Sequence, residues 1–189
     1  MSLLRRPALL AMLALGWGLV GCTDPDLDLN RAADASRPFV DESSTTVGAP
    51  SYARSAPNVV GKTLEGERFD FSALNGQVVV LNFWATWCAP CRVEIPDLIA
   101  LHEEWKEQGV RVVGVSVDRG GESVVRRFVD ELGVTYPIVL DPEMEIARAY
   151  GGHYAFPTTF VIDREGRIRQ RFMRVVGPDD LRPVLTPLR

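Results

Sequence analysis

The stretch Gln77-Val78-Val79-Val80-Leu81-Asn82-Phe83-Trp84-Ala85-Thr86-Trp87-Cys88-Ala89-Pro90-Cys91-Arg92-Val93-Glu94-Ile95-Pro96 joins two different periodicities, with a cysteine pair where they meet. Residues 77–84 are β-branched, apolar or aromatic except for Gln77 and Asn82, the pattern of a strand buried on both faces. From Cys91 to about Gln108 the spacing becomes helical: Val93, Ile95, Leu98, Ile99, Leu101 and Trp105 recur along one stripe, and Gly109 stops the run. Cys88 and Cys91 therefore fall where a strand hands over to a helix. Unpaired backbone N–H groups and the positive end of the helix dipole favour thiolate over thiol at such a position. That arrangement predicts Cys88, at the helix mouth, as an exposed nucleophile. It predicts Cys91, one turn inward, as the thiol that resolves a mixed disulfide by attacking Cys88. Pro90 fits the first helical turn, where its missing N–H removes no hydrogen bond.

Further along, strands and helices alternate. Val110–Val117 is a second apolar strand, and 137–140 and Thr158–Ile162 are shorter ones. Glu122–Leu132 reads as a helix ended by Gly133, and Met144–Tyr150 as a short helix ended by Gly151-Gly152. Asp163-Arg164-Glu165-Gly166 makes a hairpin turn into a strand over 168–174, and a last helix starts near Pro178. Strands separated by helices imply crossover connections, and the closing hairpin adds an antiparallel edge. The expected class is α/β with a mixed central sheet flanked by helices, with 67–71 as a candidate extra strand.

Zinc binding and an inert disulfide are the competing readings of Cys88-x-x-Cys91. A zinc site needs further ligands, and the sequence holds no second Cys-x-x-Cys. His102 lies 11 residues past Cys91, about 16 Å along a helix at 1.5 Å per residue, so it does not converge on the pair. An inert disulfide closing so short a loop gains little loop entropy.

The chain has 189 residues, 21 Lys+Arg against 25 Asp+Glu, and three cysteines. A net charge of −4 argues against nucleic-acid binding, and three cysteines are too few for a disulfide-built miniprotein. The third cysteine, Cys22, follows Arg5-Arg6, an apolar run over 8–20, and Leu19-Val20-Gly21. The run is short for a membrane span and suits a secretory signal. The Leu-Val-Gly-Cys sequence resembles the lipobox of bacterial lipoproteins, which implies cleavage before Cys22 and acylation of it; each buried CH₂ then contributes about 0.8 kcal/mol of anchoring. Residues after Cys22 up to Ser55 mix Asp24, Asp26, Asp28, Asp34, Asp41 and Glu42 with small and polar residues, and no period persists. The expected organisation is a signal peptide (1–21), a disordered lipid-anchored tether (22–55) and one folded domain (56–189) in the extracytoplasmic space.

The segments 80–96 and Phe156-Pro157-Thr158-Thr159-Phe160-Val161-Ile162-Asp163 together resemble the TlpA/ResA group of membrane-tethered thioredoxins, over about 56–189. The resemblance implies a thioredoxin fold with an added N-terminal strand pair and an insertion between the second strand and second helix of the basic fold. It implies a cis Pro157 packed against the Cys88–Cys91 disulfide, and a substrate surface made by Trp87, Ala89, Pro90 and Phe156. It further implies a dithiol reductant without a cofactor, fed by a transmembrane thiol carrier. Its targets would be protein disulfides such as those of apocytochrome c or metallochaperones. Pro96 would kink the active-site helix. Asn82 occupies the place of a buried proton-transferring aspartate in many thioredoxins; it cannot ionise, and an amide satisfied in the core is its expected role. Glu94 and Asp118 are the candidate replacements, each weighed against a solvated surface charge, which is the expectation here. His153, before the Pro157 loop, is expected at the surface, and Arg167, Arg169, Arg171 and Arg174 as a solvated strand edge. Two other classes use the same fold. Thiol peroxidases usually carry Thr-x-x-Cys, whereas Thr86 stands two residues before Cys88. Haem- or copper-binding modules need ligand clusters, whereas Met144, Met173 and the histidines are scattered.

Overall fold

The computed structural model describes residues 54–152 and 155–189; the expected signal peptide, Cys22, the tether up to residue 53 and His153 lie outside the described residues. In chain order the elements are β1 (Val60–Thr63), β2 (Arg68–Asp70), β3 (Val78–Trp84), α1 (Ala89–Trp105), β4 (Val110–Ser116), α2 (Glu122–Leu132), β5 (Ile138–Leu140), α3 (Glu145–Ala149), β6 (Thr158–Ile162), β7 (Ile168–Phe172) and α4 (Pro178–Leu185). The strands form one sheet in the order β2-β1-β5-β4-β3-β6-β7. β3 pairs parallel with β4 and antiparallel with β6, and β5 continues the parallel part beyond β4. The mixed α/β class expected from the alternation is the class observed.

All seven residues of β3 are buried, as an unbroken apolar run requires. Its alternating side chains feed two cores. Val78, Val80 and Trp84 point to the side that receives Ile95, Leu98, Leu101 and Trp105 of α1, Phe128 of α2 and Leu181 and Leu185 of α4. Val79, Leu81 and Phe83 point to the side closed by Phe71, Ile146 and Tyr150. Burying each such side chain is worth about 1.5–3 kcal/mol, so α1 is held by its stripe rather than by helix propensity. Pro96 sits inside α1, and the helix runs through it from Ala89 to Trp105.

The expected boundaries shift by a few residues. α1 starts at Ala89 rather than Cys91, and its predicted last turn is a 3-10 helix, Lys106–Gln108. The candidate strand over 67–71 shortens to β2, because Phe71 already begins a 3-10 turn capped by Asp70. β1 has no apolar alternation; it is a strand because it pairs with both β2 and β5. Between β4 and α3 lie α2 and β5, where the resemblance implies an insertion. At the upstream edge, Ile168 N–H donates to Arg54 O at 2.9 Å and Ser55 bridges to Arg167. These two residues, expected at the end of the tether, lie along the β6–β7 hairpin.

Gly114 of β4 pairs with Asn82 of β3 and Ile138 of β5, in the middle of the sheet. A Cβ there would meet Ile138 Cδ1 at 2.7 Å, the Trp84 indole nitrogen at 2.8 Å and Tyr136 Cε2 at 3.1 Å. Gly114→Ala therefore overpacks this core, and urea unfolding should show a loss of about 1–3 kcal/mol. A variant as stable as the wild type would show that the rings move aside freely.

Candidate functional site

β3 ends at Trp84, whose carbonyl accepts from Val117 N–H at 3.0 Å, and the chain turns through Ala85-Thr86-Trp87 to Cys88. Cys88 is the N-cap of α1. Its backbone is extended (φ −87°, ψ 98°), and its Sγ accepts from Cys91 N–H at 3.2 Å. The two sulfurs are bonded at 2.04 Å, with the α-carbons 5.3 Å apart. Cys88 keeps 5% of its surface exposed and Cys91 none. A reagent from solution thus meets Cys88 first, and a negative charge on its sulfur would face the first-turn N–H groups.

The loop in front of Cys88 is clamped by Asp118. Its carboxylate accepts from Thr86 N–H at 2.9 Å, from the Thr86 hydroxyl at 2.6 Å and from the Ser116 hydroxyl at 2.9 Å. The expectation that Asp118 is a solvated charge is overturned: it is 6% exposed, because those donors replace water. Glu94 departs further from expectation, with no exposed surface at all. It lies one turn beyond Cys91 on α1, so the two share a helix face. Its Oε1 accepts from the Asn82 amide, and its Oε2 from Val176 N–H at 2.8 Å. The second amide hydrogen of Asn82 goes to Thr159 Oγ1 at 2.9 Å. Asn82 is in the core as expected, although its Oδ1 has no protein partner. Burial pushes the Glu94 carboxyl up to about 7, with Asp97 adding repulsion, against the two hydrogen bonds that favour the anion. A buried carboxyl that changes charge near neutrality, beside the inner cysteine, can accept and return a proton.

The Phe156–Pro157 bond is cis and Pro157 is buried. Phe156 packs edge-on against Trp87 with ring centroids 5.9 Å apart, although Trp87 is 68% exposed. Trp87, Phe156, Val117, Arg119 and Met144 line an open groove of about 360 Å³. Ala89 and Pro90 are exposed at the start of α1. The family resemblance brought out Trp87, Ala89, Pro90, Phe156 and Pro157, but neither Arg119 nor Met144. Met144 carries a left-handed backbone (φ 57°) just ahead of α3, which no periodicity announces. Thr159 and Val176 were missed as well; Thr159 faces Asn82 only because β6 pairs with β3. The arginines of β7 are on an edge strand, as expected, but Arg167 and Arg169 both pair with the buried Asp163 rather than standing free. Among the described residues, no cluster of three or more His, Cys, Asp or Glu is placed to hold a metal ion.

Two variants separate the buried acids. The folded chain binds the Glu94 proton more tightly than an unfolded chain, whose carboxyl titrates near 4.5. Stability from this group is therefore full below pH 4.5 and falls as pH rises to about 7, by roughly 3 kcal/mol at 1.36 kcal/mol per pKa unit. In the oxidised protein Glu94→Gln should flatten that slope, read as urea midpoints at pH 5 and pH 8; parallel slopes would refute the assignment. Asp118→Ala leaves Thr86 N–H unpaired and should lower stability by about 1–3 kcal/mol, read as the urea midpoint.

Residues 53–171 match the AhpC/TSA family. Thiol-disulfide oxidoreductase ResA of Bacillus thuringiensis (strain Al Hakam) is 33% identical over 135 residues, 71% of this chain and 74% of that protein. Among solved structures, a secreted thiol-disulfide isomerase from Corynebacterium glutamicum superposes with a TM-score of 0.66 at 35% identity, covering 70% of this chain and 84% of that one. A putative thiol:disulfide interchange protein DsbE from Chlorobium tepidum gives a TM-score of 0.67 at 28% identity, covering 73% of this chain and 98% of that one. The cysteine pair capping α1, the cis bond before Pro157 and these likenesses agree: the chain belongs to the AhpC/TSA family, as a thioredoxin-fold thiol-disulfide oxidoreductase of the ResA kind.

Proposed function

We propose that this enzyme reduces disulfides in other proteins outside the cytoplasm, held to a membrane by lipid on Cys22 and fed electrons by a transmembrane thiol carrier. The observation that carries the reading is the asymmetry of the pair: Cys88 caps α1 and reaches the surface, while Cys91 is fully covered and shares a helix face with Glu94. In this reading residues 1–21 are a cleaved signal peptide and the segment from Cys22 is a tether to the domain, although Arg54 and Ser55, at the end of the expected tether (22–55), already pair with the β6–β7 hairpin. Among the described residues, no helix is long and apolar enough to cross a membrane.

In the reducing direction the Cys88 thiolate attacks one sulfur of the target disulfide, and the other target sulfur leaves as a thiolate that takes up a proton. Cys91 passes its proton to the Glu94 carboxylate and attacks Cys88 Sγ. The bond between Cys88 and the target breaks, the Cys88–Cys91 disulfide forms, and the target departs as a dithiol two electrons richer. Trp87, Ala89, Pro90 and Phe156 form the surface that meets the target, and Pro157 packs beside the disulfide. Apocytochrome c and metallochaperones are the proposed targets, through the family resemblance and the position outside the cytoplasm.

Cys91→Ser in the full-length chain removes the resolving thiol and should trap a mixed disulfide between Cys88 and its target. The adduct should be absent when Cys88 is also changed to Ser, and its identity names the target. If no Cys88-dependent adduct forms, and the wild-type pair does not cycle when insulin is offered with a dithiol, the redox assignment falls. Cys22→Ser should move the protein out of the membrane fraction; a variant that stays bound refutes the lipid anchor.

A further inference from the structure

Among the described residues, four buried side-chain atoms have no protein hydrogen-bond partner: Asn82 Oδ1, Trp84 Nε1, His102 Nδ1 and Tyr136 OH. Leaving a buried polar atom unpaired is unfavourable, so such atoms are few in folded proteins and a cluster of them calls for a reason. Three of the four belong to residues gathered around Gly114. Asn82 is paired in register with Gly114, and the Trp84 indole nitrogen and the Tyr136 ring press, together with Ile138 Cδ1, on the point where a Gly114 Cβ would stand. Glu94 comes down onto this point from α1, where its Oε1 accepts from the Asn82 amide. The fourth atom belongs to His102, two turns further along α1, whose ring meets Tyr136 edge-on at 6.0 Å.

We propose that Tyr136 is a positioning residue for Glu94: its buried hydroxyl and the Trp84 indole N–H bound a small polar chamber beside the carboxyl, where one internal water links the phenol to Glu94. This rests on the reading of Glu94 as the proton acceptor of Cys91. A water needs two to four polar partners, and the converging orphan groups supply them. Phenylalanine would fill the ring's place without an unpaired hydroxyl, so packing alone does not call for tyrosine here. The phenol also feels Glu94: burial and the Glu94 charge both hold its proton on, which keeps it a donor. The groups facing Glu94 are Asp97 and the cysteine pair on α1, the Asn82 amide from β3, Val176 N–H ahead of α4 and Tyr136 ahead of β5, with Thr159 of β6 behind the amide. Of these, only Tyr136 brings a hydroxyl donor with no other protein partner. A donor reaching the carboxylate favours the anion, so it holds the Glu94 pKa below the value burial alone would impose.

The test follows release of glutathione from the mixed disulfide formed when the reduced full-length protein meets oxidised glutathione, a step that needs Cys91, across pH 5–9. Wild type should show a limb near pH 7 that disappears in Glu94→Gln. In Tyr136→Phe the limb should move up by about one pH unit, the size expected for losing one hydrogen bond to a charged group, with the unfolding midpoint close to wild type. An unmoved limb in Tyr136→Phe, with the limb gone in Glu94→Gln, overturns the role of Tyr136 and leaves Glu94 as the acceptor. A limb that persists in Glu94→Gln overturns both. Isotope-edited infrared titration of the Glu94 carboxyl in the oxidised protein reads the same shift without turnover, and a carboxyl that titrates alike in wild type and Tyr136→Phe also overturns the proposal.

Discussion

A carboxyl group with no exposed surface must be held from several sides, and Glu94 is held directly by two separate parts of the chain, one of them fixed in turn by a third. The amide of Asn82 reaches it from β3, the backbone of Val176 from the segment before α4, and Thr159 of β6 fixes that amide from behind. Two of those contacts join residues 77 and 82 positions apart in sequence. They tie α1 to the central strands at the turn directly below Cys91. If this knot were apolar the helix would still pack on the sheet, but nothing near the inner sulfur would change charge near neutrality.

The two buried acids around the site divide the work by their partners. Asp118 accepts hydrogen bonds from three donors on the loop and strand ends, which fixes the turn that presents Cys88. Glu94 receives two, and desolvation outweighs them, so its carboxyl sits near 7. For Glu94 it is burial, set against only two hydrogen bonds, that lifts the carboxyl toward neutrality. The outer face follows a different logic. Trp87 stays exposed, steadied on one edge by Phe156, so the approach to Cys88 is largely apolar with Arg119 at its side, while the chemistry beneath it is polar and buried. That separation suits an enzyme whose substrate is another protein's surface.

Much of this was legible along the chain because it is local. A buried strand running into a cysteine-capped helix shows as a change of period within twenty residues, and the glycines that close α1 and α2 stand where left-handed caps are needed. β1 was not legible from its pattern, since Gly61 and Lys62 carry no strand signal and only pairing with β2 and β5 makes them a strand. Met144 in its left-handed conformation was not legible either, because a methionine at that position carries no local signal for a positive φ.

The sequence by itself determined that a strand, Cys88-Ala89-Pro90-Cys91 and a helix would adjoin, and which thiol would lie outside, because helix dipole and turn geometry act over a few residues. It also determined the α/β class, through periods that persist within single elements. Only the tertiary structure decided that Glu94 and Asp118 are buried rather than solvated. Charge is read locally but burial is a sum over distant elements, and the strand order that brings β6, β4 and the segment before α4 around α1 is written in no single stretch of the chain. The same holds for Tyr136, Trp84 and Gly114, which meet only because β3, β4 and the segment before β5 lie side by side.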